Sequence, residues 1–198
     1  MATDLQKIIT NLLAFYEFDN KKILSIGAGG QLYHYGFKAK EVIAVDSDKA
    51  ALNFLKESIE KENLTKKFTL IHSDFYDFKD QGDVLMFDFC LHEIPNPQKA
   101  IQHAISMSPD IVINDHWPSS EWAYITDEEV KATNSWKAIK DINPKIVKKF
   151  DTVQFFKDFE ELFNKVKIQG EKTIQRIEKY KGMENFSIPM SYGLALIK

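Results

Sequence analysis

Cys90 is the only cysteine in 198 residues, which excludes an intrachain disulfide and any zinc cluster built on several thiolates, and suits a reducing compartment. An excess of positive charge is missing too: 26 Lys and Arg face 29 Asp and Glu, a net charge of -3. There is then no global basic field to draw in nucleic acid or an anionic membrane, and the composition points to a small-molecule partner. No apolar run approaches the roughly 20 residues that cross a bilayer. The opening MATDLQKIITNLLAFYEF interrupts its apolar residues with Asp4 and other polar ones, unlike a secretory leader. A cytoplasmic protein is expected. What is present, 44% hydrophobic residues in a chain of this length, is enough to bury one core, so a single domain over 1–198 is expected.

Leu5, Ile8, Ile9, Leu12, Leu13 and Tyr16 recur at helical spacing, with Thr3 and Gln6 matching a capping box. KKILSIG (21–27), EVIAVD (41–46), KFTLIHSD (67–74), DVLMFDF (83–89) and DIVIND (110–115) are short apolar runs that read as buried strands. Between them, 49–63 places Leu52, Leu55 and Ile59 on one helical face, and 96–107 carries Pro97 at a first helical position. Strands alternating with amphipathic helices predict a parallel sheet covered on both faces. The rhythm breaks after Asp115. A polar, aromatic stretch follows, with a second capping-box pattern at Thr126 and Glu129 and with all three tryptophans, Trp117, Trp122 and Trp136. The spacing of Phe155, Phe156, Phe159, Leu162, Phe163 and Val166 predicts a helix. Segments 165–180 and 191–198 read as a closing antiparallel hairpin.

Gly27, Gly29 and Gly30 stand where the first of these strands enters a helix. Glycines there permit positive φ and let backbone N–H groups approach a ligand. Asp46, ending the second strand, can accept the hydroxyls of a ribose. Asp74, ending the third, can take the amine of an adenine beside Phe75. Leu32 occupies the position where a dinucleotide fingerprint needs its third glycine, which turns the site away from a pyrophosphate.

The series ILSIGAGG, VIAVDSD, HSDFYDF and GDVLMFDFCLHEI resembles the ordered motifs of class I S-adenosylmethionine-dependent methyltransferases, over nearly the whole chain. The resemblance implies a three-layer, Rossmann-like α/β fold with a seven-stranded sheet, mostly parallel, whose last strand is inserted antiparallel. It implies S-adenosylmethionine as cofactor. Carried over, Gly27, Ala28 and Gly29 line its methionine and ribose, Asp46 and Ser47 hold the ribose, Asp74 and Phe75 frame the adenine, and Asp88 and Phe89 lie near the methyl group. Two positions depart from the family: Ser25 stands where an acidic residue is frequent, leaving a weaker contact to the methionine amino group, and Gln31 replaces a glycine.

Methyl transfer from a sulfonium needs mainly alignment and exclusion of water, with a base where the acceptor carries a proton. His92 and Glu93 after the fourth strand, and Asp115 and His116 after the fifth, converge if those strands are neighbours. Either imidazole could act as base and either carboxylate orient it. The same four groups could hold a divalent ion, but nothing in their spacing fixes a ligand geometry and no metal is assigned. Tyr33, Trp117, Trp122 and Tyr124 are the candidate substrate contacts, the last three within a lid at about 116–150. The chain lacks the Pro-Pro-aromatic motif of DNA amino-methyltransferases, and C-L-H-E-I resembles enzymes acting on small molecules. Two other readings stay open: an NAD-linked oxidoreductase, and a methyltransferase-like binding protein without catalysis, which Ser25 and Gln31 favour.

Overall fold

The computed structural model describes residues 2–29 and 31–198; Gly30 lies outside the described residues. One sheet runs through the molecule in the order β1-β7-β8-β6-β5-β2-β3-β4. Its strands are β1 (Ala2–Thr3), β2 (Lys22–Ile26), β3 (Glu41–Asp46), β4 (Phe68–His72), β5 (Val84–Asp88), β6 (Asp110–His116), β7 (Ile146–Asp158) and β8 (Glu184–Ile197). Strands β2 to β6 pair in parallel. The C-terminal β8 is inserted antiparallel between β6 and β7, as the resemblance implies. Seven strands form the expected sheet, and the two-residue β1 adds an eighth at the edge, opposite Gln154 and Phe155.

The helices are α1 (Leu5–Phe15), α2 (Lys49–Lys61), α3 (Pro97–Ile105), α4 (Glu121–Ile125), α5 (Glu129–Asp141), α6 (Phe159–Val166) and α7 (Glu171–Ile177). Alternate residues of the central strands feed two cores. Ile23, Ala44, Met86 and Val112 pack with Ile8 and Leu12 of α1 and Leu55 and Ile59 of α2. Leu24, Val45, Phe87 and Ile113 pack with Ile101 and Ala104 of α3 and Trp136 and Ile139 of α5. Strands covered on both faces have no polar side to present, hence their unbroken apolar runs. No helix among the described residues is long and apolar enough to cross a membrane.

Several local expectations are corrected. Thr3 belongs to β1, and Asp4 caps α1 by accepting from the Lys7 N–H at 3.3 Å. Thr126 closes α4 instead of opening α5, which begins without a side-chain cap. Phe155 and Phe156 lie in β7, not in a helix. Thr152, Gln154 and Phe156 are buried while Asp151, Phe155 and Lys157 are exposed, a period of two. The helix starts at Phe159 because the Asp158 carboxylate accepts from the Glu161 N–H at 2.8 Å. Segment 165–180 is helical, broken at Gly170, whose φ is +103°. The hairpin-like antiparallel partner of β8, besides β6, is therefore β7 and not segment 165–180. The connection between β7 and β8 carries α6 and α7.

Candidate functional site

Two cavities meet at the C-terminal ends of the parallel strands, the end where open α/β sheets bind ligands. The first, about 410 Å³, is lined by residues of the turns after β2, β3, β4 and β5, among them Gly27, Asp46, Ser47, Asp74, Phe75, Asp88 and Phe89. Gly27 is required twice over: its φ is +69°, and a Cβ there would come within 2.4 Å of the Cβ of Cys90. Cys90 is occupied structurally, its thiol donating to the Ile26 carbonyl at 3.2 Å. At Gly29 a Cβ would meet that of Ala51 at 2.1 Å, so the glycine lets α2 close against the turn. The Gly29 and Asp48 N–H groups donate to Asp46 at 2.9 and 2.8 Å and fix its carboxylate at the rim. Asp74 accepts from the Tyr76 N–H at 2.8 Å, and Phe75 packs edge-on against Phe87.

Asp88 and Phe89 also line the second cavity, of about 380 Å³, which continues through Gln31, His116, Trp122, Glu128, Gln154 and Lys165 to Met190. Asp88 is buried, and that burial, with the charge of Asp115 behind it, pushes its carboxyl up to about 8 against the opposing hydrogen bond from Asn114 at 3.3 Å. Phe89 adopts φ +48°, the left-handed region, with its N–H donating to the Asn114 carbonyl at 2.7 Å. A bulky residue held there marks a constrained position at the junction of the cavities.

The expected convergence of His92, Asp115 and His116 is present. Asp115 is fully buried at the end of β6. It accepts from His92 Nδ1 at 2.5 Å, from the N–H groups of His92 and His116 at 3.0 and 2.9 Å, and from the Ser135 hydroxyl at 3.2 Å. The His92 and His116 rings lie 5.3 Å apart. A carboxylate that sequence reasoning missed completes the group: Glu128 Oε2, which accepts from the Thr126 hydroxyl at 2.8 Å. It stands 3.8 Å from His92 Nε2 and 3.7 Å from His116 Nε2. Glu128 lies in a run of acidic residues before α5, where no spacing rule distinguishes it from its neighbours. Lys165 was missed for a similar reason, being one of many lysines.

These neighbours divide the two imidazoles. Burial would depress His92, but hydrogen bonds to Asp115 and Glu93 outweigh it and carry the ring up to about 10. Burial, and then the charge of His92, bring His116 down to about 4. At neutral pH a cationic and a neutral imidazole sit side by side. Glu93 is held at about 2 by His92 and by its ion pair with Lys131 at 2.7 Å; it borders the first cavity and not the second.

Other expected contacts lie elsewhere. Ser25 is fully buried with its hydroxyl 2.7 Å from that of Tyr35 and lines neither cavity; Ala28 is likewise packed in the core. Trp122 lines the second cavity, stacked on Phe156. Trp117 packs on Trp136, Tyr33 stacks on His34, and Tyr124 is exposed beneath the Arg176 guanidinium, 3.9 Å from its ring. None of these three borders either cavity.

Comparison with known proteins agrees with this geometry. Residues 24–106 match the family model described as a methyltransferase domain, a span that holds every described residue bordering the first cavity. A stretch of 86 residues is 38% identical to ribosomal RNA small subunit methyltransferase A of Mycoplasma mobile, covering 40% of this chain and 32% of that protein. The chain thus spans about a third of the length of that curated relative. Among solved structures, a Bacillus halodurans protein assigned as a methyltransferase superposes with a TM-score of 0.72 at 13% identity, covering 96% of this chain and 97% of the other. Magnesium protoporphyrin IX methyltransferase from Synechocystis, solved with bound SAH, gives 0.59 at 10% identity, over 97% and 81% of the two chains. These last two likenesses concern the fold. Residues 24–106 are thus similar to a methyltransferase domain, and the fold is one that solved methyltransferase structures share.

Proposed function

We propose that this protein transfers a methyl group from S-adenosylmethionine to a small-molecule acceptor. The observation that carries this reading is the pair of adjoining cavities with Asp88 and Phe89 as their common wall. The first has the volume, apolar floor and rim carboxylates that an adenosine-bearing cofactor needs. Asp46 is held where it can accept the ribose hydroxyls, with Ser47 beside it, and Asp74 with Phe75 where they can meet the adenine. Gly27 allows the backbone to approach the remainder. S-adenosylmethionine, when bound, supplies a methyl group already activated by a positively charged sulfur.

What the chain must add is alignment and dryness. In this reading the acceptor fills the second cavity, its apolar part against Trp122, Val166 and Met190 and its polar group at the end formed by His116 and Glu128. Asp115 and His92 form the layer behind and hold that end rigid. The chain acts as one domain over 1–198, with the 116–150 segment and helices α6 and α7 serving as cover. A cavity of about 380 Å³ and a net charge of -3 favour a small acceptor over a polynucleotide and agree with a cytoplasmic role.

Calorimetric titration with S-adenosylmethionine, S-adenosylhomocysteine and NAD tests the cofactor. Micromolar binding of the two sulfur compounds and none of NAD is expected, and NAD binding alone would overturn the reading. Transfer of label from methyl-labelled cofactor is then compared between a panel of small acceptors and ribosomal RNA. Methylation of the RNA alone would move the acceptor class to nucleic acid. Cofactor binding with no transfer to any acceptor would favour a binding protein.

A further inference from the structure

His92, His116 and Glu128 come from three separate elements: the 3₁₀ turn Leu91–Glu93 after β5, the last residue of β6, and the residue before α5. One ligand atom from each lies within 4.8 Å of the others. Atoms bound to a common ion at 2.0–2.1 Å in a tetrahedral arrangement sit roughly 3.3 Å apart. The 3.8 and 3.7 Å separations to Glu128 are therefore within a small inward movement of that arrangement.

His92 and Glu128 are each held by a second group, as metal ligands are. The Nδ1 of His92 is held by Asp115, the carboxylate–histidine arrangement that orients a ligand imidazole, and its Nε2, which faces Glu93 at 3.4 Å and Glu128 at 3.8 Å, would give up its proton to bind an ion. The Thr126 hydroxyl fixes the Glu128 carboxylate. His116 gives an independent sign: it is 8% exposed, its Nδ1 is buried without a hydrogen-bond partner, and its Nε2 stands beyond hydrogen-bond reach of Glu128. A buried Nδ1 without a partner leaves a cost unmet.

We infer that His92 Nε2, His116 Nε2 and Glu128 bind a divalent first-row transition ion, best matched by zinc, with its remaining coordination position open to the second cavity. Two imidazoles and one carboxylate with a position left free is a ligand set of catalytic zinc sites. Magnesium, which favours oxygen ligands in an octahedron, fits it poorly. If the second cavity holds the acceptor, which rests on the methyl-transfer reading, the ion selects acceptors that carry a coordinating oxygen or sulfur. His116 then serves as a ligand and not as a base.

Zinc is titrated into the metal-free full chain by calorimetry, with ring NMR of all five histidines. One equivalent is expected, moving the His92 and His116 rings and not those of His34, His72 and His103. Glu128→Gln and His116→Gln are each expected to weaken zinc at least tenfold, Asp115→Asn about ten- to a hundredfold, and His103→Gln not at all. Melting with and without zinc accompanies each variant, and the wild type and His103→Gln are expected to gain more stability from it than the other variants. No stoichiometric binding, or ring shifts at other histidines, would overturn the site, and the ring shifts need no variant to fold. Zinc binding without S-adenosylmethionine binding would keep this site and remove the methyl-transfer reading; the reverse result would do the opposite.

Discussion

The two cavities are built in contrasting ways. Every described residue bordering the first falls between Ile26 and Pro95, one continuous stretch in which each strand contributes its own C-terminal turn. The second draws on Leu5 and Ile8 from α1, Gln31 and Leu32, the ends of β5 and β6, α4, β7, α6 and finally Met190 of β8. A wall made of strand ends is dictated by sheet order. A wall made of insertions depends on how remote segments happen to pack, and it can change while the other stays fixed.

The common wall offers the largest test. A carboxyl raised from an ordinary unfolded value to about 8 binds its proton more tightly in the folded state. Its contribution is complete below the unfolded pKa, near 4, and is lost as pH climbs toward 8. Asp88→Asn, which keeps the shape and carries no charge, is expected to outstabilise the wild type by a margin growing about 1 kcal/mol per pH unit between pH 5 and 8, read from denaturant midpoints. A margin that does not vary with pH would place the titration elsewhere.

His116→Ala separates the cavities kinetically. It is expected to lower kcat at least ~100-fold while the cofactor Kd stays within about twofold. An equal loss of cofactor would mean that the two cavities are not functionally distinct. Asp46→Ala is the mirror image. It should weaken S-adenosylmethionine about tenfold, roughly 1.4 kcal/mol, with little effect on acceptor KM once cofactor saturates. The smallest expected effect is that of Trp122→Phe, a several-fold rise in acceptor KM with no change in cofactor affinity, measured by steady-state kinetics.

How far each region could be read from residues follows the same division. The places of Asp46 and Asp88 beside the first cavity were legible because a carboxylate ending a buried parallel strand has few places to point, and that of Asp74 because it lies in the turn just beyond β4. The meeting of His92 with Asp115 and His116 was legible because β5 and β6 are neighbours. Ser25 was misread: its side chain faces the core in which Tyr35 is buried, so it meets a tyrosine hydroxyl and not a ligand. The segment from Phe155 to Val166 fitted a helical period because its phenylalanines straddle a real boundary, and Asp158, whose capping sets that boundary, was overlooked. Glu128 and Lys165 reach the second cavity only through the folding of α4, α5 and α6 onto the sheet, for which no local pattern speaks. Trp117 and Tyr124 drew attention as aromatics, yet their partners are Trp136 and Arg176.

The insertion of β8 between β6 and β7 carries a consequence for how the chain comes into being. Synthesis runs from the N-terminus, so β2 to β6 can pair while the rest is still being made, and the first cavity can close around its ligand early. β7 has no neighbour in the parallel sheet until residues 184–197 arrive to bridge it to β6. The second cavity, bounded by Gln154, Lys165 and Met190, must be the last part to assemble. Contacts so distant in sequence form slowly, so the second cavity is expected to close after the first.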